Sequence, residues 1–155
     1  MDSLHYNSRS TALRISAAAL AALLAGCSPT DGIEQSGQKF EAISQTATIN
    51  LVGNEPFWGV EIAPAADGGY LATYSTPENI EGARVGVKRF AGNNGLGFSG
   101  ELDGAAMQIT ITPGDCNDTM SDRSYPYTST VALGDLTLYG CEYTSDQSFE
   151  GGEAQ

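Results

Sequence analysis

Leu96-Gly-Phe-Ser-Gly-Glu-Leu102 and Met107-Gln-Ile-Thr-Ile-Thr112, hinged at Asp103-Gly104, decide the fold class. The second run alternates apolar and polar side chains, the period of a half-buried strand. Asp-Gly between two such runs is a strong signal for a two-residue hairpin turn, because the favoured turn needs left-handed backbone at its centre. Working outward, the same pattern recurs at 46–52, 57–62, 70–75, 84–90, 127–133 and 136–143. Gly134-Asp135 joins the last two runs and suits a two-residue turn with glycine first. No ten-residue stretch after residue 45 carries a 3.6-residue period. The reading is all-β: about eight short antiparallel strands in a hundred residues, as a small barrel or a sandwich. Closure removes exposed edges, so the barrel is preferred and the sandwich is the alternative.

The ends of the chain read differently. Arg9 and Arg14 make a basic leader, and Ile15 to Leu24 is a small-residue apolar run. Ten apolar residues rise only ~15 Å as a helix, half a bilayer core, so the pattern reads as a secretory signal and not as a membrane span. Leu24-Ala25-Gly26-Cys27 resembles the lipobox of bacterial lipoproteins, which implies cleavage after residue 26 and acylation of Cys27. Ser28, and no aspartate, follows that cysteine. By the same resemblance the anchor lies in the outer membrane, facing the periplasm, in a host with two membranes. The expected organisation is a signal peptide at 1–26, a lipidated Cys27 with a flexible polar tether to residue 45 and a β-domain at 46–143. A disordered acidic tail at 144–155 completes it. Eighteen tether residues would reach about 23 Å as a random coil.

Processing sharpens the composition. The full chain has 155 residues, with 7 basic and 19 acidic side chains and a single histidine, His5. Removal of residues 1–26 takes Arg9, Arg14, Asp2 and His5, leaving five basic and eighteen acidic side chains and no histidine. So acidic a domain is not built for nucleic acid, which demands a basic face. Without histidine a Ser-His-Asp or Cys-His centre cannot form. Cys116 and Cys141 remain as an even pair in an oxidising compartment and read as a disulfide. Zinc is the competing explanation, but two thiolates with no histidine and no C-x-x-C make a poor site. Glu55 and Glu61 on one strand lie ~20 Å apart, too far for a single acid/base pair. A carboxylate-based hydrolase, the remaining enzymatic alternative, would need a partner for Glu61 that the sequence does not nominate. No Gly-rich phosphate loop is present. The domain is read as non-catalytic, with no cofactor.

Two stretches carry the candidate binding residues. In Gly53-Asn-Glu-Pro-Phe-Trp-Gly-Val-Glu-Ile62, strand alternation sends Phe57 and Trp58 to opposite faces. Trp58 is expected as a core anchor with Phe57 packed under a loop; the alternative is an aromatic that stacks a ligand. In Cys116-Asn-Asp-Thr-Met-Ser-Asp-Arg-Ser-Tyr-Pro-Tyr127, Asp118 and Asp122, with Asp115 just before the stretch, crowd near Arg123. Asp and Ser side chains organise tight turns, and Arg123 is expected to clamp one of the carboxylates. The spacing does not match a calcium loop. Glu55, Phe57, Trp58, Asp118, Asp122, Arg123, Tyr125 and Tyr127 are the candidate binding residues.

Together the two stretches resemble an uncharacterised family of bacterial envelope proteins, often lipoproteins. Its members share G-x-E-P-F-W-x-V-E-I and C-x-D-x-M-S-D-x-x-Y-P-Y segments and a V-x-L-x(4)-L-x-G-C ending, here Val131 to Cys141. The resemblance implies a small β-structure, sometimes beside META-type domains, and no activity. The expected function is therefore a membrane-anchored domain that binds a periplasmic protein or small ligand in envelope maintenance. One alternative is an inhibitor of a basic enzyme such as lysozyme, steered by charge. Another is a lipocalin-like carrier of apolar ligands, which requires an interior cavity.

Overall fold

The computed structural model describes residues 39–152, so the leader, Cys27 and most of the tether lie outside the described residues. Eight strands follow one another in an antiparallel meander. They are β1 (Ile49–Asn54), β2 (Phe57–Pro64), β3 (Tyr70–Thr76), β4 (Asn79–Ala91), β5 (Leu96–Leu102), β6 (Ala105–Asn117), β7 (Ser124–Leu133) and β8 (Leu136–Thr144). Each pairs with its neighbours in sequence, and β8 pairs back onto β1, closing a barrel. Closure leaves the sheet one buried face, which is why so short a chain builds a continuous core.

The turns behave as their residues dictate. Asp103 and Gly104 both take left-handed backbone (φ 51° and 83°), the conformation a two-residue type I′ turn requires. Gly134 has φ 55° at the first position of the β7–β8 turn. Glu55-Pro56, whose peptide bond is cis, forms the equally short β1–β2 turn. Inside, alternate residues interdigitate: Ile49 and Leu51 from β1, Ile62 from β2, Met107, Ile109 and Ile111 from β6, Val131 from β7 and Leu138 from β8 are all buried. The interior is filled by side chains.

Three segments differ from the sequence reading. Strand β4 starts at Asn79 and not near 84, because Thr76 pairs with Asn79 across Pro77-Glu78 and an irregularity near Tyr74–Thr76 absorbs the exposed Ile80. That stretch shows no alternation because its side chains face water. Residues 39–45, expected within the tether, pack on the barrel. Phe40 N–H donates to the Gly92 carbonyl at 2.7 Å, Ile43 is buried, and Arg89 Nη2 donates to the Ile43 carbonyl at 3.0 Å. Two apolar residues in a polar stretch were enough to seat it. The expected tail is likewise seated over its described part. Thr144 is buried, Ser145 N–H reaches the Thr48 carbonyl, and Glu150 makes a two-way backbone bridge with Ser124.

Candidate functional site

Strands β6 and β7 run on beyond the barrel wall as a long hairpin, with a register shift between Pro113 and Cys116. The tip of this hairpin is the Asp-rich stretch, and its hydrogen bonds are local. Asp118 Oδ1 accepts from the amides of Met120 (3.1 Å) and Ser121 (2.8 Å) and from the Ser121 hydroxyl (3.0 Å). Its Oδ2 accepts from Ser121 Oγ (2.9 Å) and Tyr125 Oη (3.1 Å). Asn117 Oδ1 takes the Thr119 amide, and Asn117 Nδ2 donates to the Arg123 carbonyl. Partial burial pushes the Asp118 carboxyl up. The hydrogen bonds from Ser121, Met120 and Tyr125 outweigh that effect and hold it below its ordinary value, so it is ionised and fixed.

Among the described residues, Arg123 clamps none of Asp115, Asp118 and Asp122, contrary to the expectation. Its guanidinium lies over the Phe149 ring, 4.4 Å from the centroid, and hydroxyl and amide donors take its place on Asp118. Tyr125 and Tyr143 complete an aromatic cluster around Phe149, with centroids 5.2–6.1 Å apart. A cation over an aromatic face keeps its charge while shedding little water, which favours this seat over the exposed Asp122.

Two ties hold the hairpin tip against the barrel. Cys116 and Cys141 form a disulfide between the hairpin and β8. Asn54 Nδ2, at the end of β1, donates to the Asp118 carbonyl. Between tip and wall lies a cleft of about 560 Å³ that opens to solvent. Val52, Thr128, Tyr139 and the disulfide line it, together with the exposed Glu55 and the half-buried Asp118. No lysine or arginine lines it.

The cleft thus brings together Glu55 and Asp118 of the eight candidates. Phe57 and Trp58 do split to opposite faces, but Phe57 is 53% exposed and no loop covers it as expected. Trp58 is buried, its indole laid against Gly53 of β1 and Gly140 of β8, where any Cβ would collide with the ring. Its Nε1–H has no partner. Tyr127 is buried beside Phe40 and donates to Gln147 Oε1 at 2.8 Å. Asp122, Arg123 and Tyr125 do not line the cleft. Sequence reading missed Asn54 and Tyr139, which shape the cleft, and Glu142, which is wholly buried on β8 between Leu51 and Tyr127 with neither oxygen hydrogen-bonded. Burial raises its carboxyl to about 8, and burial followed by the Glu142 charge raises the Tyr127 hydroxyl. The signal was available: strand alternation puts Leu138, Gly140 and Glu142 on one face. Among the described residues no three His, Cys, Asp or Glu side chains converge as a metal site, and no helix is long and apolar enough to cross a membrane.

The fold and site define a small closed β-barrel with a disulfide-bordered acidic cleft on its outer wall. No protein-family model, curated protein or solved structure matches the chain.

Proposed function

We propose that this chain is a lipid-anchored, periplasm-facing, non-catalytic binding domain that holds a protein or small ligand in the cleft beside the Cys116–Cys141 disulfide. The observation that carries the reading is the division of labour between the two faces of the barrel. The inner face is spent on packing, while the outer face carries a cleft braced by one covalent tie and one hydrogen bond. Braced, preformed clefts bind without a large ordering cost. Both thiols of the β-domain are committed to the disulfide, which supports a site without a cysteine nucleophile. The filled interior speaks against a carrier of apolar ligands.

Expression of the full chain in a bacterium with two membranes tests the anchor. The mature protein is expected to begin at Cys27 with an acyl mass and to pellet with membranes; Cys27→Ser is expected to stay unacylated. An unmodified, soluble wild-type chain would overturn it. Capture from envelope extract, repeated with Glu55→Arg, tests the cleft.

The inhibitor reading keeps one specific observation: a cleft lined by Glu55 and Asp118 and by no cation suits a basic surface. Titration of lysozyme with the purified chain at low and high salt decides it. Failure to inhibit at any salt eliminates this reading.

A further inference from the structure

The β1–β8 seam is paired over only four residues of each strand, Ile49–Val52 with Cys141–Thr144. The remaining part of β8, Leu136 to Gly140, is paired with β7 alone among the described residues. A two-residue turn makes its flanking pair, here Leu133 and Leu136, the hydrogen-bonded one, and the bonding then alternates along the ladder. Leu136, Leu138 and Gly140 therefore direct their backbone groups at β7. Thr137 and Tyr139 direct theirs the other way, as do Cys141 and Tyr143, which meet β1. The N–H and C=O groups of Thr137 and Tyr139 face the side where β1 no longer pairs. The Val52 carbonyl and the Trp58 indole still close the seam at Gly140, and Tyr139, just beyond, lines the cleft.

Among the described residues, Leu136 to Gly140 carries no lysine, proline or bulge to blunt this edge. Natural sheets protect open edges with lysine, proline, bulges or a covering segment. Here the edge residues are threonine and tyrosine, both good strand formers, and Tyr139 is 73% exposed. The β4–β5 ladder is also short, but there the strands stay close beyond it: a Cβ on Gly100 would lie 2.7 Å from the Gly86 carbonyl.

We infer that the open seam is a strand-addition site, at which an extended basic segment of a partner protein pairs with Thr137 and Tyr139 and runs past Glu55 and Asp118. The basic character follows from charge complementarity. Glu55 and Asp118 line the cleft, Asp135 sits in the β7–β8 turn, and no lysine or arginine lines the cleft. Main-chain bonds supply affinity in such complexes, and the flanking side chains supply specificity. The inference rests on the cleft being the binding site and names the class of its partner.

Amide hydrogen exchange on the full chain tests it in two arms. In the free protein, the Thr137 and Tyr139 amides are expected to exchange ~100-fold faster than those of Leu138 and Gly140. Slow exchange at the first pair would show the edge already closed and overturn the proposal. An eight-residue peptide alternating lysine and valine is then the probe. Saturable binding is expected, with at least ~tenfold protection of Thr137 and Tyr139. Methylation of alternate peptide amides, or glutamate in place of lysine, is expected to weaken binding at least ~tenfold. Thr137→Pro removes an outward N–H and leaves the β7 ladder intact, so it should weaken binding without moving the urea midpoint. No binding, equal binding of the methylated peptide, or protection that grows with protein concentration in the absence of peptide would each reject strand addition. Perturbation confined to Glu55 and Asp118 would reject it too, while leaving the cleft reading standing.

Discussion

Glu142 and Gly140, two residues apart on the same face of β8, are each constrained by their surroundings, one by charge and the other by volume. Glu142 is wholly buried without a hydrogen-bond donor, so the folded state holds it protonated up to about pH 8. In the unfolded chain it ionises near its ordinary 4.5. Below that pH both states carry the proton and stability is at its full value. As pH rises, the unfolded chain releases its proton first, and stability falls by up to about 1.4 kcal/mol per pH unit until the folded group ionises. Urea midpoints are therefore expected to drop between pH 5 and 8 in the wild type and to stay nearly flat over that range in Glu142→Gln. An identical slope in the two proteins would refute this assignment. Gly140 is constrained by volume. A Cβ there would lie 2.8 Å from Trp58 Cζ2 and would also strike the Val52 carbonyl. Gly140→Ala is expected to cost ~1–3 kcal/mol by overpacking. It should also shift the emission of the single tryptophan to the red, as the indole is pushed from its seat.

At the scale of elements, the long β6–β7 hairpin is held down by the disulfide and by Asn54. The bridged residues are 25 apart, and a loop of that length stabilises the fold by ~3–4 kcal/mol in the chain-entropy account. Cys116→Ser with Cys141→Ser is expected to lower the unfolding free energy by about that much, and reducing agent should do the same to the wild type. An unchanged urea midpoint would show that the tie is not felt. Much of this was legible in sequence. Asp103-Gly104 and Gly134-Asp135 announced their turns through residues that tolerate left-handed backbone. Cys116 and Cys141 announced their bridge as the only thiols left after Cys27. What escaped were contacts whose partners lie far along the chain. The sequence neighbours of Arg123 suggest a carboxylate partner, yet its seat is Phe149, 26 positions on, in a stretch that composition alone marks as a tail. Asn54 reaches Asp118, 64 positions away, and nothing in G-N-E-P names that partner. The cleft exists because of such contacts. Its two acidic residues could be singled out, but not the fact that they share a cleft.

For the whole molecule, the topology orders events as well as contacts. Seven of the eight strand pairings join consecutive strands and need only short loops to close, which is kinetically undemanding. The eighth joins Ile49–Val52 to Cys141–Thr144, the two ends of the domain. A chain that emerges amino end first, from a ribosome or a translocation pore, presents β1 at the start and must wait for β8 at the finish. Through that interval the free edge of β1 is a template for any strand that passes. The disulfide, by contrast, lies entirely within β6–β8 and needs nothing made earlier. The closing strand therefore arrives already stapled into a three-stranded sheet, so that the wait ends in a single docking of two preformed surfaces. A chain cut short before Cys141 would lack both the staple and the closure, and would present an open sheet to whatever it met.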